Sequence, residues 1–212
     1  MPPPQAKTTS VFNSCWAMGS TLEELARAGG AKVNLVVSYS GLKAAKVLLK
    51  KFGTPYVVGV PMGTQSNKLV DRLNRAIETG MSNPLVDRSS AHSNKNKIVL
   101  IGESLYGSSL ASAIEEKSRN KVQFICPLES EKEILGSSDC FARDETELIP
   151  LLSDADVIIA DPLYKPICPQ SAYFVSLGHE AFSGRIFRES IPNLIAEGFD
   201  KWFDIILREV IK

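Results

Sequence analysis

Short apolar runs rich in β-branched residues alternate with stretches whose apolar residues recur at helical spacing, and this alternation leaves the chain few folds. Lys32 to Ser38 (KVNLVVS) reads as a strand, and Leu42, Ala45, Leu48, Leu49 and Phe52 then share one helical face, with Lys43, Lys46 and Lys50 on the solvent side. Pro55 to Val60 is a second strand, followed by a helix with an expected buried stripe of Leu69, Val70, Leu73, Ala76 and Ile77. Ahead of both, Ser10 to Ala17 reads as a strand, and Ser20 is expected to cap a helix, with Glu23 returning the bond, that ends at Gly29-Gly30. Strands that alternate with helices pair in parallel, and parallel sheets are covered on both faces, so the fold class is α/β.

A second series of the same kind follows. Lys97 to Ile101, Val122 to Cys126, Val157 to Ala160 and Tyr173 to Leu177 are strands. Leu105 to Glu116 and Asp144 to Leu152 are helices, the latter capped by Asp144 with Glu147 three residues on. Phe199, Trp202, Phe203, Ile206 and Val210 make the docking face of a last helix. Two Rossmann-like domains are therefore expected, over residues 11–80 and 97–212. Residues 1–10, with three consecutive prolines, read as a disordered leader, and the Ser- and Asn-rich stretch 81–96 as a linker.

The 24 basic and 24 acidic residues cancel, which removes the positive field that nucleic-acid or anionic-membrane binding requires. No apolar run reaches the roughly 20 residues of a membrane span and no signal peptide opens the chain, so a cytoplasmic location is expected. Cys15, Cys126, Cys140 and Cys168 form no C-x-x-C pair and read as reduced, small apolar side chains.

In wound α/β sheets ligands sit beyond the carboxyl ends of the strands. That rule nominates the loops 17–21, 38–41, 61–64, 102–104, 161–165 and 178–184. The loop GESLYGSS lacks the glycine spacing of a dinucleotide site, and Ser108 and Ser109 read there as small residues that let a helix pack closely. His92 lies in the polar linker and reads as solvated; His179, in SLGHEAFSGRIF directly after a strand, is the candidate for ligand binding or proton transfer. The adjacent acids Glu23 and Glu24, and Glu115 and Glu116, read as capping or solvated residues.

The phrases GSTLEELARAGGAKVNLVVSYSGLKAAKVLLKKFGTPYVVGVPMG, ADVIIADPLYKPI and GHEAFSGRIF, in that order, resemble the middle and C-terminal domains of nitrogenase component 1 family subunits. That group contains the nitrogenase molybdenum-iron protein, its cofactor-assembly scaffold and the dark-operative protochlorophyllide reductase. The resemblance implies a cleft between Rossmann-like domains that holds a metallocluster or tetrapyrrole, a homologous partner subunit and an ATP-dependent iron-sulfur reductase as electron donor; apolar surface left bare by a missing domain is expected to favour a homo-oligomer. Residue 11 already matches the family's middle region, so the domain supplying the relay-cluster cysteines has no expected counterpart here. The chain then reads as a fragment or truncated member, inactive and without cofactor on its own. The alternative is a non-catalytic module that holds a metallocluster precursor, a tetrapyrrole or a protein.

Carried onto these positions, the resemblance puts Ser38 where the nitrogenase catalytic subunit has a cofactor-ligating cysteine, and Gly178 where it has a ligating histidine, with His179 next to it. A neutral hydroxyl is a poor donor to iron in a sulfide cluster, so an iron-molybdenum cofactor is not expected. The residues expected to line the cleft are Ser38, Gly63, Thr64, Asp161, His179, Ser183 and Gly184, with His179 as the candidate catalytic group.

Overall fold

A computed structural model describes residues 21–86, 88, 93–131, 134–137, 139–208 and 210–211. The expected leader, the strand Ser10 to Ala17, Ser20, Cys15 and His92 lie outside these residues. The first helix, α1 (Leu22–Ala26), is capped one residue later than the sequence spacing implied: Thr21 accepts the Glu24 N–H at 3.2 Å, and the Glu24 carboxylate takes the Thr21 N–H at 2.8 Å. Thr21 and Glu24 stand in the same three-residue relation as Ser20 and Glu23, which is why the two registers look alike in sequence.

Strand β1 (Asn34–Val36), helix α2 (Leu42–Phe52) and strand β2 (Tyr56–Val58) form one parallel crossover, with Leu35 opposite Val57, and helix α3 (Gln65–Thr79) follows. Helix α2 ends at Gly53, whose φ of 71° supplies the left-handed turn. Only part of each predicted helical stripe is covered. Leu42, Ala45, Leu69 and Ala76 are buried, but Phe52, Val70 and Ile77 are exposed, because two described strands make a narrower platform than the helical periodicity assumes.

The second sheet has five parallel strands: β3 (Ser93–Ile101), β4 (Asn120–Cys126), β5 (Cys140–Phe141), β6 (Val157–Ala160) and β7 (Tyr173–Ser176). Their order is β5-β4-β3-β6-β7, so the winding reverses between β3 and β6. β3 starts inside the stretch read as a linker, and Asn83 bridges to Val57 at the small sheet. The central strands are buried on both faces, as their unbroken apolar runs require: every residue of Val157–Ala160 is buried, as are Ile98 to Ile101. Helices α5 (Glu145–Leu152), α6 (Gly184–Phe187) and α7 (Glu197–Ile206) complete the chain, and Asp144 caps α5 through the Glu147 N–H at 3.0 Å.

Helix α4 (Ser104–Ser118) ties the two sheets together. Leu105 packs with Val36, Leu42, Tyr56 and Val58 of the first unit, whereas Leu110 and Ile114 pack with Ile98, Leu100 and Phe124 of the second. The small residues of GSS allow the close approach. Ser109 Oγ accepts the Val60 N–H at 2.9 Å and donates to the Leu105 carbonyl at 2.7 Å, so a buried hydroxyl satisfies the backbone of both units. A Cβ on Gly107 would lie 2.2 Å from Phe124 Cε2.

Arg88 anchors the stretch between the sheets. Its Nη2 reaches Glu115 Oε1 at 2.9 Å and the Val122 carbonyl at 2.8 Å, its Nε reaches Glu115 Oε2 at 3.2 Å, and its Nη1 reaches Asp139 at 3.3 Å. Glu115 also accepts the Val122 N–H at 3.1 Å, so it is a buried structural acid and not the solvated one the sequence implied.

Two substitutions test this architecture. Ala is favoured over Gly in a helix by about 1 kcal/mol, but at position 107 the clash with Phe124 outweighs that gain, and Gly107→Ala is expected to lower unfolding free energy by roughly 1–3 kcal/mol in urea titrations. Arg88→Met leaves the Glu115 charge buried without its partner, and a loss of roughly 3–5 kcal/mol is expected by the same measurement.

Candidate functional site

The reversal between β3 and β6 marks the point where ligands sit in wound sheets, and a small crevice lined by Ile101, Gly102, Tyr106 and His179 lies there. Each strand runs into an acid there. Glu103, two residues beyond β3, caps α4 by accepting the Tyr106 N–H at 2.9 Å, and its other oxygen accepts the Tyr39 N–H at 2.6 Å. Asp161, directly after β6, accepts the Leu163 N–H at 3.1 Å on Oδ1 and the His179 N–H at 3.0 Å on Oδ2, which also takes the Ser183 hydroxyl. Both carboxylates are buried, and each holds a loop from elsewhere in the chain over the crevice while it satisfies a helical N-terminus.

A row of rings crosses this edge. Tyr106 and His179 meet edge to face with centroids 4.9 Å apart, His179 and Phe182 lie 5.7 Å apart, and Phe182 meets Tyr164 at 5.6 Å. Burial pushes the Tyr106 phenol up to about 12, and burial, with Asp161 second, does the same to Tyr164. Neither is a phenolate at neutral pH. Cys126, at the end of β4, donates its thiol to the Leu128 carbonyl at 3.4 Å, and burial raises it to about 11. It is a protonated thiol.

His179 is partly buried. Burial lowers its pKa, against the opposing pull of Glu103, Asp161 and Glu180. Its Nδ1 accepts the Ala181 N–H at 3.1 Å, and it lines a small pocket with Ile101, Gly102, Tyr106, Gly107 and Leu177.

The structure brings together some of the predicted site residues and separates others. Asp161, His179, Ser183 and Gly184 belong to one cluster, with Gly184 opening α6 directly after Ser183. Ser38 precedes the Tyr39 amide that Glu103 holds, its Oγ lies 3.2 Å from Ser40 Oγ, and it lines a groove along β1 and α2, whereas the His179 loop is held by Asp161. Gly63 and Thr64 are not part of the cluster. Gly63 has φ 51°, donates to the Ala196 carbonyl at 3.0 Å and faces Phe199, where a Cβ would come within 2.7 Å. Its role is a tight turn under α7. Thr64 precedes Gln65, whose amide bonds Glu116, and Glu116 lies at the other end of α4 from Tyr106, roughly 15 Å away by helical rise.

Glu103, Tyr39, Tyr106, Cys126, Tyr164 and Phe182 were not singled out from the sequence. Glu103, Tyr39, Tyr164 and Phe182 lie in nominated loops, so the strand-end rule reaches them. Tyr106 and the Cys126 thiol lie outside those loops and carry no sequence signal that separates them from core residues.

The sequence profile of the nitrogenase component 1 type oxidoreductases matches residues 6–115, just over half of the chain. A solved structure, "Nitrogenase Cp1 at pH 6.5", superposes with a TM-score of 0.63 at 19% identity over 91% of this chain. At that identity the likeness concerns the fold. The chain spans about half of that structure, covering 48% of it. No curated protein matches the sequence.

The lowered pKa of His179 gives stability a pH dependence of defined sign. The unfolded ring takes its proton at about 6.5, above the folded value, so the stability gained by holding it neutral is complete above about pH 6.5 and is lost as pH falls through the folded pKa. His179→Gln is expected to flatten the fall in urea midpoint between about pH 7 and pH 5; parallel profiles for the two proteins would contradict the assignment.

Proposed function

Because the chain belongs to the nitrogenase component 1 type oxidoreductase family, we propose that its switch-point crevice forms part of the substrate cleft of a multi-subunit reductase fed with electrons by an iron-sulfur partner. The observation that carries this reading is the convergence on Glu103 and Asp161 of two loops, one with Ser38 and one with His179, at the carboxyl ends of the central strands. His179 is the titratable group the cluster leaves free to act, since both acids spend their oxygens on backbone and hydroxyl donors. Its Nε2–H suits hydrogen bonding to a substrate, since Nδ1 is engaged and burial favours the neutral ring.

The family implies a metallocluster or a tetrapyrrole, and the donor set discriminates between them. A cluster asks for thiolate or imidazole lone pairs. The crevice offers a protonated Cys126 thiol and an imidazole whose Nδ1 is already engaged, and the Ser38 hydroxyl faces the groove along β1 and α2 beside Ser40. These residues do not fit a cluster. A planar conjugated molecule fits the row of Tyr106, His179, Phe182 and Tyr164 better, because ring faces and edges reward flat apolar surface.

A second reading, a non-catalytic module that holds such a molecule or a protein, is favoured by the engagement of both acids, which leaves the crevice poor in acid–base groups. Either way a homologous subunit, or a further copy of this chain, has an apolar surface to meet: Leu35 and Val37 are exposed beside Ala44 and Leu48 in a groove along β1 and α2. Among the described residues no helix is long and apolar enough to cross a membrane.

Anaerobic purification of the natural protein with its accompanying subunits tests the redox reading. Visible absorbance and iron in the complex, a mass above that of one chain by light scattering, and slower turnover in His179→Gln are expected. A colourless, iron-free complex would overturn it.

A further inference from the structure

We infer that His179 presents a hydrogen-bond donor, Nε2–H, to the occupant of the crevice, so the occupant contributes an acceptor oxygen or nitrogen at that point and not a metal ion. The inference rests on the reading of the crevice as a binding site and narrows what it binds.

A backbone N–H only donates. The Ala181 N–H on Nδ1 at 3.1 Å therefore requires the Nδ1 lone pair to point at it, and in the neutral ring the one proton sits on Nε2. A histidine that binds a metal through Nε2 needs the opposite tautomer, with Nδ1–H donated to a carbonyl or carboxylate. Here, among the described residues, Nδ1 meets the Ala181 N–H and no such acceptor.

The surrounding loop fixes this choice. The Phe182 and Ser183 N–H groups both return to the His179 carbonyl, at 3.0 and 3.1 Å. Asp161 Oδ2 takes the His179 N–H and the Ser183 hydroxyl, closing the turn at both ends, while Oδ1 is held by Leu163. Ala181, between these points, has its N–H held toward the ring. The charged groups that act on the imidazole are Glu103, Asp161 and Glu180, and Glu180 is paired with Arg188 at 2.9 and 2.7 Å. Tyr106 and Phe182 contribute ring contacts. Asp161 is thus a positioning residue: it acts on the occupant through His179.

The sequence has two histidines, so nitrogen NMR of the labelled chain is readily assigned with His179→Gln. At a pH about one unit above the ordinary histidine range, two-bond proton–nitrogen spectra are expected to show a pyridine-type Nδ1 and a pyrrole-type Nε2. Equimolar zinc chloride should leave the His179 signals in place, and Ala181→Pro, which removes the donor, should convert the pattern to a mixture of tautomers. If that variant does not fold, Asp161→Asn, which unlatches the turn, should give the same mixture. A pyrrole-type Nδ1 in the natural chain, a zinc-shifted Nε2, or an unchanged tautomer in the folded variant would each overturn the inference. These readouts concern the ring itself, so they stand or fall separately from the iron and absorbance of the assembled complex.

Discussion

The arrangement of the molecule depends on one buried carboxylate, that of Glu103. An ionised acid out of water is tolerated only when fixed donors replace its hydration, and the Tyr106 and Tyr39 amides do so, at 2.9 and 2.6 Å. Such charge-assisted bonds contribute about 1.5–3 kcal/mol each, enough to hold the start of α4 and the loop after β1 to one point. Without it α4 would lose its N-cap and the loop after β1 a polar tie to the central strands, which acts beside the apolar packing of Leu105 and the Ser109 hydroxyl.

The sequence revealed the sheet better than what covers it. Apolar runs such as Val157 to Ala160 are legible because a parallel strand buried on both faces has no polar alternation to confuse it. Helical periodicity shows which residues share a face but not how wide the opposing platform is, and so Val70, Ile77 and Phe52 were assigned to a core that does not reach them. Helix α4 erred the other way. Its serines look polar in sequence, yet Ser104, Ser108, Ser109 and Ser112 are buried, with Ser109 spending its hydroxyl on backbone groups. The small side chains of this helix were legible as a means of close packing; that both sheets would use it was not, because two partners at different distances along the chain leave no local pattern.

The crevice was legible to the same degree and for related reasons. The strand-end rule nominates the loops of both sheets alike, but among the described strands the reversal in order lies in the larger sheet, so Asp161 and His179 fall at the crevice while Gly63 turns toward α7. Glu103 lies inside a nominated loop, and an acid before a helix looks the same in sequence whether it caps or reacts. The structure separates those roles by counting acceptors, and both Glu103 and Asp161 turn out to be capping residues with a second loop attached.

That count also bears on how a reductase cleft and a holding module differ in this fold. With both acids committed, acid–base chemistry at the crevice falls to an imidazole whose one lone pair is already held by Ala181. A ring so arranged gives a hydrogen bond through Nε2 but has no proton to transfer, since losing Nε2–H would leave an imidazolate and protonating Nδ1 would displace the Ala181 N–H. Turnover would then need a proton source on the occupant's side of the crevice, supplied by solvent or by a neighbouring subunit, whereas holding needs none. The tautomer of one histidine therefore separates the two readings physically: it makes catalysis depend on what closes the crevice, and leaves binding to this chain alone.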